Sequence, residues 1–408
     1  MAVEALRCRV CESEYPATAT GICVRCFGPL EPVYDWTELA RVVSRERIEA
    51  GPPSLWRYAD LLPASPLPDA ATAPGFTPLV PAPRLASALG IGELWLKLDL
   101  ANPTHSFKDR VVAVAAAKAR EFGLETLSCT STGNLANAVA ARAAACGMPA
   151  VIFCPAGLEP EKLLATTVYG ARVYGVRGSY DDCSRLVSEL AGEVEWGFVN
   201  VNLRSYYAEG SKTLAFEIVE QLGWETPSAL ICPIASGALF SKLWQGLEQF
   251  ARLGLIGSER PRLYGGQAEG CAPVANAFAE QRRVSPVRPN SIARSLAIGN
   301  PADGDLAVAT ARASGGAIYA VAEEEIGPNM ALLAELTGVF GETAAGVTVG
   351  ALRAAAARGE LGERDRVVAL VTGTGLKTPQ AVELEASGSV IEIEPDIDAL
   401  LDELGVAT

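Results

Sequence analysis

From Glu93 onward, short apolar and β-branched runs alternate with stretches of helical periodicity, and this alternation constrains the fold more than any other feature of the chain. Residues 94–98 read as a strand, 107–122 as a helix and 126–130 as a strand, followed by a helix over 135–146 that Gly147 and Pro149 stop. Further strands are expected at 151–154, 172–176, 198–201, 230–233, 262–266, 317–321 and 367–371. Strands separated by helices predict an α/β fold with parallel sheets covered on both faces. At 408 residues, two or three units sharing an interface are expected. No period points to internal repeats. In parallel sheets, ligands sit beyond the carboxyl ends of strands, so the strand-to-helix turns are where chemistry is to be sought.

Composition narrows the function. Lys and Arg number 34 and Asp and Glu 48, a net charge of 34 − 48 = −14, with the acidic residues scattered. Nucleic-acid binding needs a clustered basic surface, so no nucleic-acid partner is expected. The N-terminus shows neither a basic start nor a long apolar core, and no apolar run reaches 18 residues, so neither a signal peptide nor a membrane span is expected. Ten cysteines are too sparse for a disulfide framework, which points to the cytoplasm. The single histidine, His105, excludes a multi-histidine metal site and leaves a Ser-His-Asp triad only one candidate. Acid–base work must then come from carboxylates, tyrosine, lysine or a cofactor.

Cys8-x-x-Cys11 and Cys23-x-x-Cys26, eleven residues apart, have the spacing of a zinc ribbon, in which four thiolates close a tetrahedral structural site. Arg7, Arg9 and Arg25 lie among acidic residues, so a structural staple is expected here instead of a nucleic-acid contact. The stretch 51–83 is rich in proline and alanine and reads as a connector over the surface.

Five segments could carry chemistry. In 102–110 (Asn-Pro-Thr-His-Ser-Phe-Lys-Asp-Arg), Ser106 is placed to cap a helix, with Asp109 as a capping-box partner. Lys108 then lies in the first turn, at the positive end of the helix dipole and beside Arg110, where the uncharged, nucleophilic amine is favoured. Taken alone, the segment better describes a solvated lysine at a helix start. In 131–135 (Ser-Thr-Gly-Asn-Leu), Ser131, Thr132 and Gly133 expose backbone N–H groups suited to a carboxylate, and Asn134 can donate to a phenolate oxygen. A plain helix cap would look the same. Ala235, Ser236, Gly237, Ala238 and Leu239 follow an apolar strand, and their small side chains let a phosphate approach the backbone. Gly373 and Gly375 give two-thirds of a dinucleotide fingerprint, but Thr378 fills the third glycine position, and a dehydrogenase is rejected. Thr372 in the same segment could meet a ring nitrogen. Finally, Ser211 and Lys212 open a helix whose start suits a second anion, although a capped surface helix fits equally well.

In this order, these segments resemble the threonine synthase family of fold-type-II pyridoxal-phosphate (PLP) enzymes, from the four-cysteine N-terminus to about Pro379. Segments 266–267 (Gly-Gln), 292–304 (beginning Ile-Ala-Arg-Ser-Leu) and 342–348 (beginning Glu-Thr-Ala) complete the match. The resemblance implies two parallel-sheet αβα domains like those of the tryptophan synthase β chain, behind a short zinc-ribbon-like segment. The expected division is a ribbon over 1–35, a connector and the start of the larger domain over 36–95, a smaller domain over 96–204 and the larger over 205–408. It also implies that Lys108 is the Schiff-base lysine and catalytic base, that Asn134 contacts the cofactor ring hydroxyl, and that the loop from Ala235 to Leu239 holds its phosphate. Thr372 would meet the pyridine nitrogen, Ser131 and Thr132 the substrate carboxylate, and Ser211 and Lys212 the phosphate of O-phospho-L-homoserine. A homodimer is the implied assembly. Ala-Ser-Gly-Ala-Leu replaces the Gly-Asn-Ala-Gly-Asn version of the phosphate loop, and Ala345 stands where glycine is usual. Other replacements or eliminations on serine, threonine or phosphoserine, including a cysteate-synthase-like or dehydratase reaction, share these motifs. A PLP-binding regulator without turnover is the reading from a different class.

Overall fold

The runs Ala229–Pro233 and Arg366–Val371 are apolar at nearly every position, as a strand covered on both faces requires, and nearly every residue in them is buried. They form the centre of a six-stranded sheet ordered Ile318–Val321, Arg262–Ala268, Ala229–Pro233, Arg366–Val371, Glu93–Leu98, Leu79–Pro81. All neighbours run parallel except the last strand, which pairs antiparallel with Glu93–Leu98. A second, all-parallel sheet is ordered Arg172–Val176, Ala150–Pro155, Leu127–Thr130, Gly197–Phe198. The computed structural model describes residues 3–68, 70–131, 133–157, 160–178, 180–382, 393 and 395–405.

The helix Lys108–Glu121 follows the larger sheet's strand Glu93–Leu98 and leads into the smaller sheet. Every residue from Asp109 to Ala119 is buried, and the alanine-rich sequence lets neighbours approach it from all sides. Val111, Val112, Ala115 and Ala116 belong to one apolar core that also holds Leu127 and Val139 from the smaller unit and Leu230 and Leu243 from the larger.

Buried charges tie this helix down. Arg110 is fully buried and donates to Asp99 (Nε–Oδ2 2.8 Å, Nη2–Oδ1 2.7 Å) and to Glu217 (Nη2–Oε2 2.7 Å). Lys97 Nζ lies 2.7 Å from Glu217 Oε2. Burial alone would raise the Glu217 carboxyl, but Arg110 and Lys97 outweigh it and hold the group at about 2. The guanidinium two positions after Lys108 therefore turns away from it, which corrects the expectation that Arg110 acts on that lysine.

Three further expectations need correction. The stretch 51–83 is no surface connector: it contains the 3-10 helix Leu55–Leu61, with Leu55, Tyr58 and Leu61 buried, and the strand Leu79–Pro81. Alternating proline with apolar residues marked it as irregular but not as exposed. A boundary at residue 96 would divide the strand Glu93–Leu98, all of which belongs to the larger sheet. The strand expected over 198–201 is only Gly197–Phe198. The N-terminal segment forms a three-stranded antiparallel sheet, Glu14–Tyr15, Val3–Cys8, Leu30–Tyr34.

Candidate active site

Four strands deliver the chemistry-bearing turns at their carboxyl ends: Glu93–Leu98, Leu127–Thr130, Ala229–Pro233 and Arg366–Val371. The turns after the first and last are laced together. Phe107 N donates to Thr372 O (2.8 Å), Thr374 N donates to His105 O (3.2 Å), and Ser106 bridges Gly373. This lacing sets the start of helix Lys108–Glu121 against the Thr372 turn.

The cap is not the one expected. The N-cap residue is Phe107, without a side-chain hydrogen bond. Asp109 Oδ2 instead accepts from Thr104 N (2.8 Å) and Thr104 Oγ1 (2.9 Å), so the aspartate holds the incoming loop. Ser106 Oγ is left buried with no partner. Lys108 is half-buried; its Nζ stands 5.2 Å from the Phe107 ring centre and 5.9 Å from that of Tyr207. Among the described residues it has no hydrogen bond or ion pair.

Asn134 opens helix Asn134–Ala145 behind Gly133. Its Nδ2 donates to both Glu342 oxygens (2.9 and 3.2 Å), and its Oδ1 accepts from Lys377 Nζ (2.7 Å), which also donates to Thr104 O (2.6 Å). Burial pushes the Glu342 carboxyl up in spite of Asn134, Lys377 and Lys108. Burial likewise pushes the Lys377 ammonium down against the opposing pull of Glu342 and Asp109. Lys377 also settles the Asn134 amide: a cation on Oδ1 leaves Nδ2 as the end that donates. Ser131 Oγ accepts from Gly133 N (3.3 Å), and Thr132 lies outside the described residues.

The turn after Ala229–Pro233 leads into the 15-residue helix Ala238–Arg252. Gly237 has φ +92°, and a Cβ there would stand 2.5 Å from Asp303 O, so glycine is required on both counts. Ala235, Ser236, Ala238 and Leu239 are half-buried. A left-handed glycine at a long helix's N-terminus presents backbone N–H groups to an anion. Ala235 packs against the apolar cluster that includes Ala344, next to Glu342 and the buried, unpartnered Thr343 Oγ1. An unpartnered lysine, an oriented amide, orphaned hydroxyls and a left-handed glycine turn at a helix start fit a phosphorylated pyridine aldehyde.

Ser211 and Lys212 are both buried, and Lys212 does not join this site. Lys212 Nζ lies 2.5 Å from Glu209 Oε2 and donates to Leu61 O (3.1 Å) and Tyr34 Oη (3.4 Å). The expected substrate-phosphate lysine is an internal ion-pair partner. Burial would raise the Glu209 carboxyl, yet Lys212 and Lys242 hold it at about 2.

At the N-terminus, the sulfurs of Cys8, Cys11, Cys23 and Cys26 all lie within 4.8 Å of one another, with Cys8–Cys26 at 3.4 Å and Cys11–Cys23 at 3.6 Å. Tetrahedral zinc with Zn–S of about 2.3 Å would set them about 3.8 Å apart, so the cluster fits such an ion.

Glu342, Lys377 and Tyr207 are site residues for which no role is expected from the sequence, although all three lie in or beside segments singled out above. Their signal is positional: Glu342 precedes the apolar helix Thr343–Ala357, and Lys377 ends the Thr-Gly-Thr-Gly-Leu-Lys turn.

Residues 70–373 match the model of the family described as pyridoxal-phosphate dependent enzyme. The chain is 35% identical over 398 residues to the threonine synthase of Methanocaldococcus jannaschii, covering 97% of this chain and 98% of that one. It is 34% identical to that of Methanosarcina acetivorans, covering 97% of each. Among solved structures, maize serine racemase superposes with a TM-score of 0.61 at 20% identity, covering 81% of this chain and 92% of that one. Threonine deaminase isoform 2 from Solanum lycopersicum gives 0.66 at 19% identity, covering 87% and 88%. These two likenesses speak to the fold.

Proposed function

This chain belongs to the pyridoxal-phosphate dependent enzymes, and we propose that within them it is a threonine synthase, converting O-phospho-L-homoserine and water to L-threonine and phosphate. The observation that carries the reading is likeness over nearly the full length of both chains to the threonine synthase of Methanocaldococcus jannaschii.

When bound, the cofactor supplies an electron sink for charge developing at the substrate's Cα and Cβ. Lys108 is the group that attaches the cofactor and moves protons at those carbons. His105, the one histidine, is exposed, with its Nδ1 3.3 Å from Leu100 O. Asn134, oriented by Lys377, offers the cofactor's ring oxygen an N–H that it shares with Glu342, and Thr372 offers a hydroxyl to the ring nitrogen. Ala235, Ser236, Gly237, Ala238 and Leu239 hold the phosphate. The turn beginning at Ser131 receives the substrate carboxylate. Cys8, Cys11, Cys23 and Cys26 hold a structural zinc ion.

We also place the protein in the cytoplasm as a homodimer. Support for the compartment comes from ten cysteines without a disulfide; among the described residues no helix is long and apolar enough to cross a membrane. The dimer rests on the family resemblance, and light scattering tests it.

Incubation with O-phospho-L-homoserine should yield threonine and inorganic phosphate in equal amounts. The reading fails if that substrate is inert while phosphoserine with sulfite, or free threonine, turns over. A visible-band shift on adding amino acid, with no product from any of them, would mark a regulator.

A further inference from the structure

Arg9 follows the metal-ligand position Cys8, and its guanidinium reaches out of the ribbon. It pairs with Asp303 in the larger unit and, at 3.4 Å, with Glu31 of the ribbon's own strand Leu30–Tyr34. Asp303 is 4% exposed, and its second carboxylate oxygen accepts from Arg204 Nη2 at 2.6 Å. Its main chain backs the turn at Gly237: Asp303 N donates to Ser236 O (2.9 Å), and Asp303 O occupies the space a Cβ on Gly237 would need. One buried aspartate therefore shapes the turn with its backbone, while two arginines from outside the larger sheet grip its side chain. Arg204 lies in the short helix Arg204–Tyr207, on the chain leaving the smaller sheet. That helix also seats the ribbon, since Ser205 Oγ donates to Thr20 O (3.2 Å) and Tyr206 Oη to Thr18 O (2.9 Å).

We infer that Asp303, gripped by Arg9 and Arg204, is a positioning residue for the cofactor-phosphate turn, so that the four-cysteine ribbon sets how tightly the cofactor's phosphate is held. The inference rests on the reading of that turn as the phosphate site. A carboxylate held by two charge-assisted contacts has one orientation. Release of one lets the Asp303 backbone shift, and with it the Ser236–Gly237 peptide, whose Gly237 N–H would face the anion. The ribbon's contribution to the site is thus this contact, beyond the stapling of the N-terminus.

The test compares cofactor-depleted full-length protein titrated with pyridoxal phosphate and with pyridoxal, which lacks the phosphate. Arg9→Met should weaken pyridoxal phosphate about tenfold, the size of one charged hydrogen bond, and leave pyridoxal unchanged. The ³¹P resonance of the bound cofactor should move as well, which simple loosening of the ribbon would not cause. Arg9→Lys should recover most of the affinity, and Arg7→Met should match the wild type because Arg7 pairs with Glu14 on the exposed face. The inference is overturned if Arg9→Met binds both compounds like the wild type, or loses both equally. Ser236→Asp places an anion in the turn and should weaken pyridoxal phosphate far more than pyridoxal. If it does so while Arg9→Met has no effect, the turn keeps its role and the coupling is wrong. If Ser236→Asp binds normally, the turn is not the phosphate site and this inference falls with that reading.

Discussion

Two helices of this chain begin with a lysine, Lys108–Glu121 and Lys212–Gln221, and in sequence both starts look fit to meet an anion or a carbonyl. In the fold they diverge. Lys108 is half-buried beside two aromatic rings, with no hydrogen bond or ion pair among the described residues. Lys212 is fully buried and satisfied by Glu209, Leu61 O and Tyr34. A lysine whose donors are all taken cannot serve a ligand, whereas one left without a partner at a cleft can. The helix start is common to both; the surroundings separate a reactive group from a structural one.

The sharpest way to break this comparison is to exchange what each lysine loses. Lys108→Ala should cut turnover at least ~10³-fold while the melting temperature stays within a few degrees, because covalent attachment and the base go together. Borohydride reduction and peptide mapping of the wild type should place the pyridoxyl group on Lys108; a label on Lys97, Lys118 or Lys212 would reverse the assignment. Lys212→Met should do the opposite. Removing Lys212 leaves Glu209 held by Lys242 alone, at a cost of roughly 1.5–3 kcal/mol in denaturant unfolding, with KM for the folded fraction nearly unchanged. A large rise in KM at undiminished stability would put Lys212 back at the substrate.

The smallest effect is read by pH. Glu209 and Glu217 sit at about 2 in the fold, below the ~4.3 of a free glutamate. Their stabilisation is therefore complete above about pH 4.3 and declines as pH falls from there through about 2, by at most ~1.4 kcal/mol per pH unit for each group. Glu217→Gln should flatten that acid limb. A limb identical to the wild type's would show that the Arg110–Glu217–Lys97 cluster does not govern it.

Much of the site was legible because its signals are local. A short apolar run followed by small or hydroxyl residues places a turn at a strand end, and Asn134, Gly237 and Thr372 all lie in such turns. The capping of helix Lys108–Glu121 was misjudged because Ser106 had the right spacing while Thr104, two residues earlier, had the geometry to meet Asp109. Arg110 lies close to Lys108 in sequence, but residues two apart on a helix point about 200° apart, to opposite faces, and Asp99 and Glu217 take the guanidinium inward. The stretch 51–83 lacked periodicity, so nothing in it announced that Leu55, Tyr58 and Leu61 are buried.

The sequence by itself determined the alternation of strands and helices, the turns at strand ends and the cysteine spacing, since each depends on residues a few positions apart. Only the tertiary structure decided which charged groups are free. Glu342 and Lys377 reach Asn134 from 208 and 243 positions away, and Lys242 and Tyr34 close around Glu209 from 33 and 175. A charge's role is set by whatever takes its hydrogen bonds once water is gone, and those partners are assembled by packing, not by local sequence.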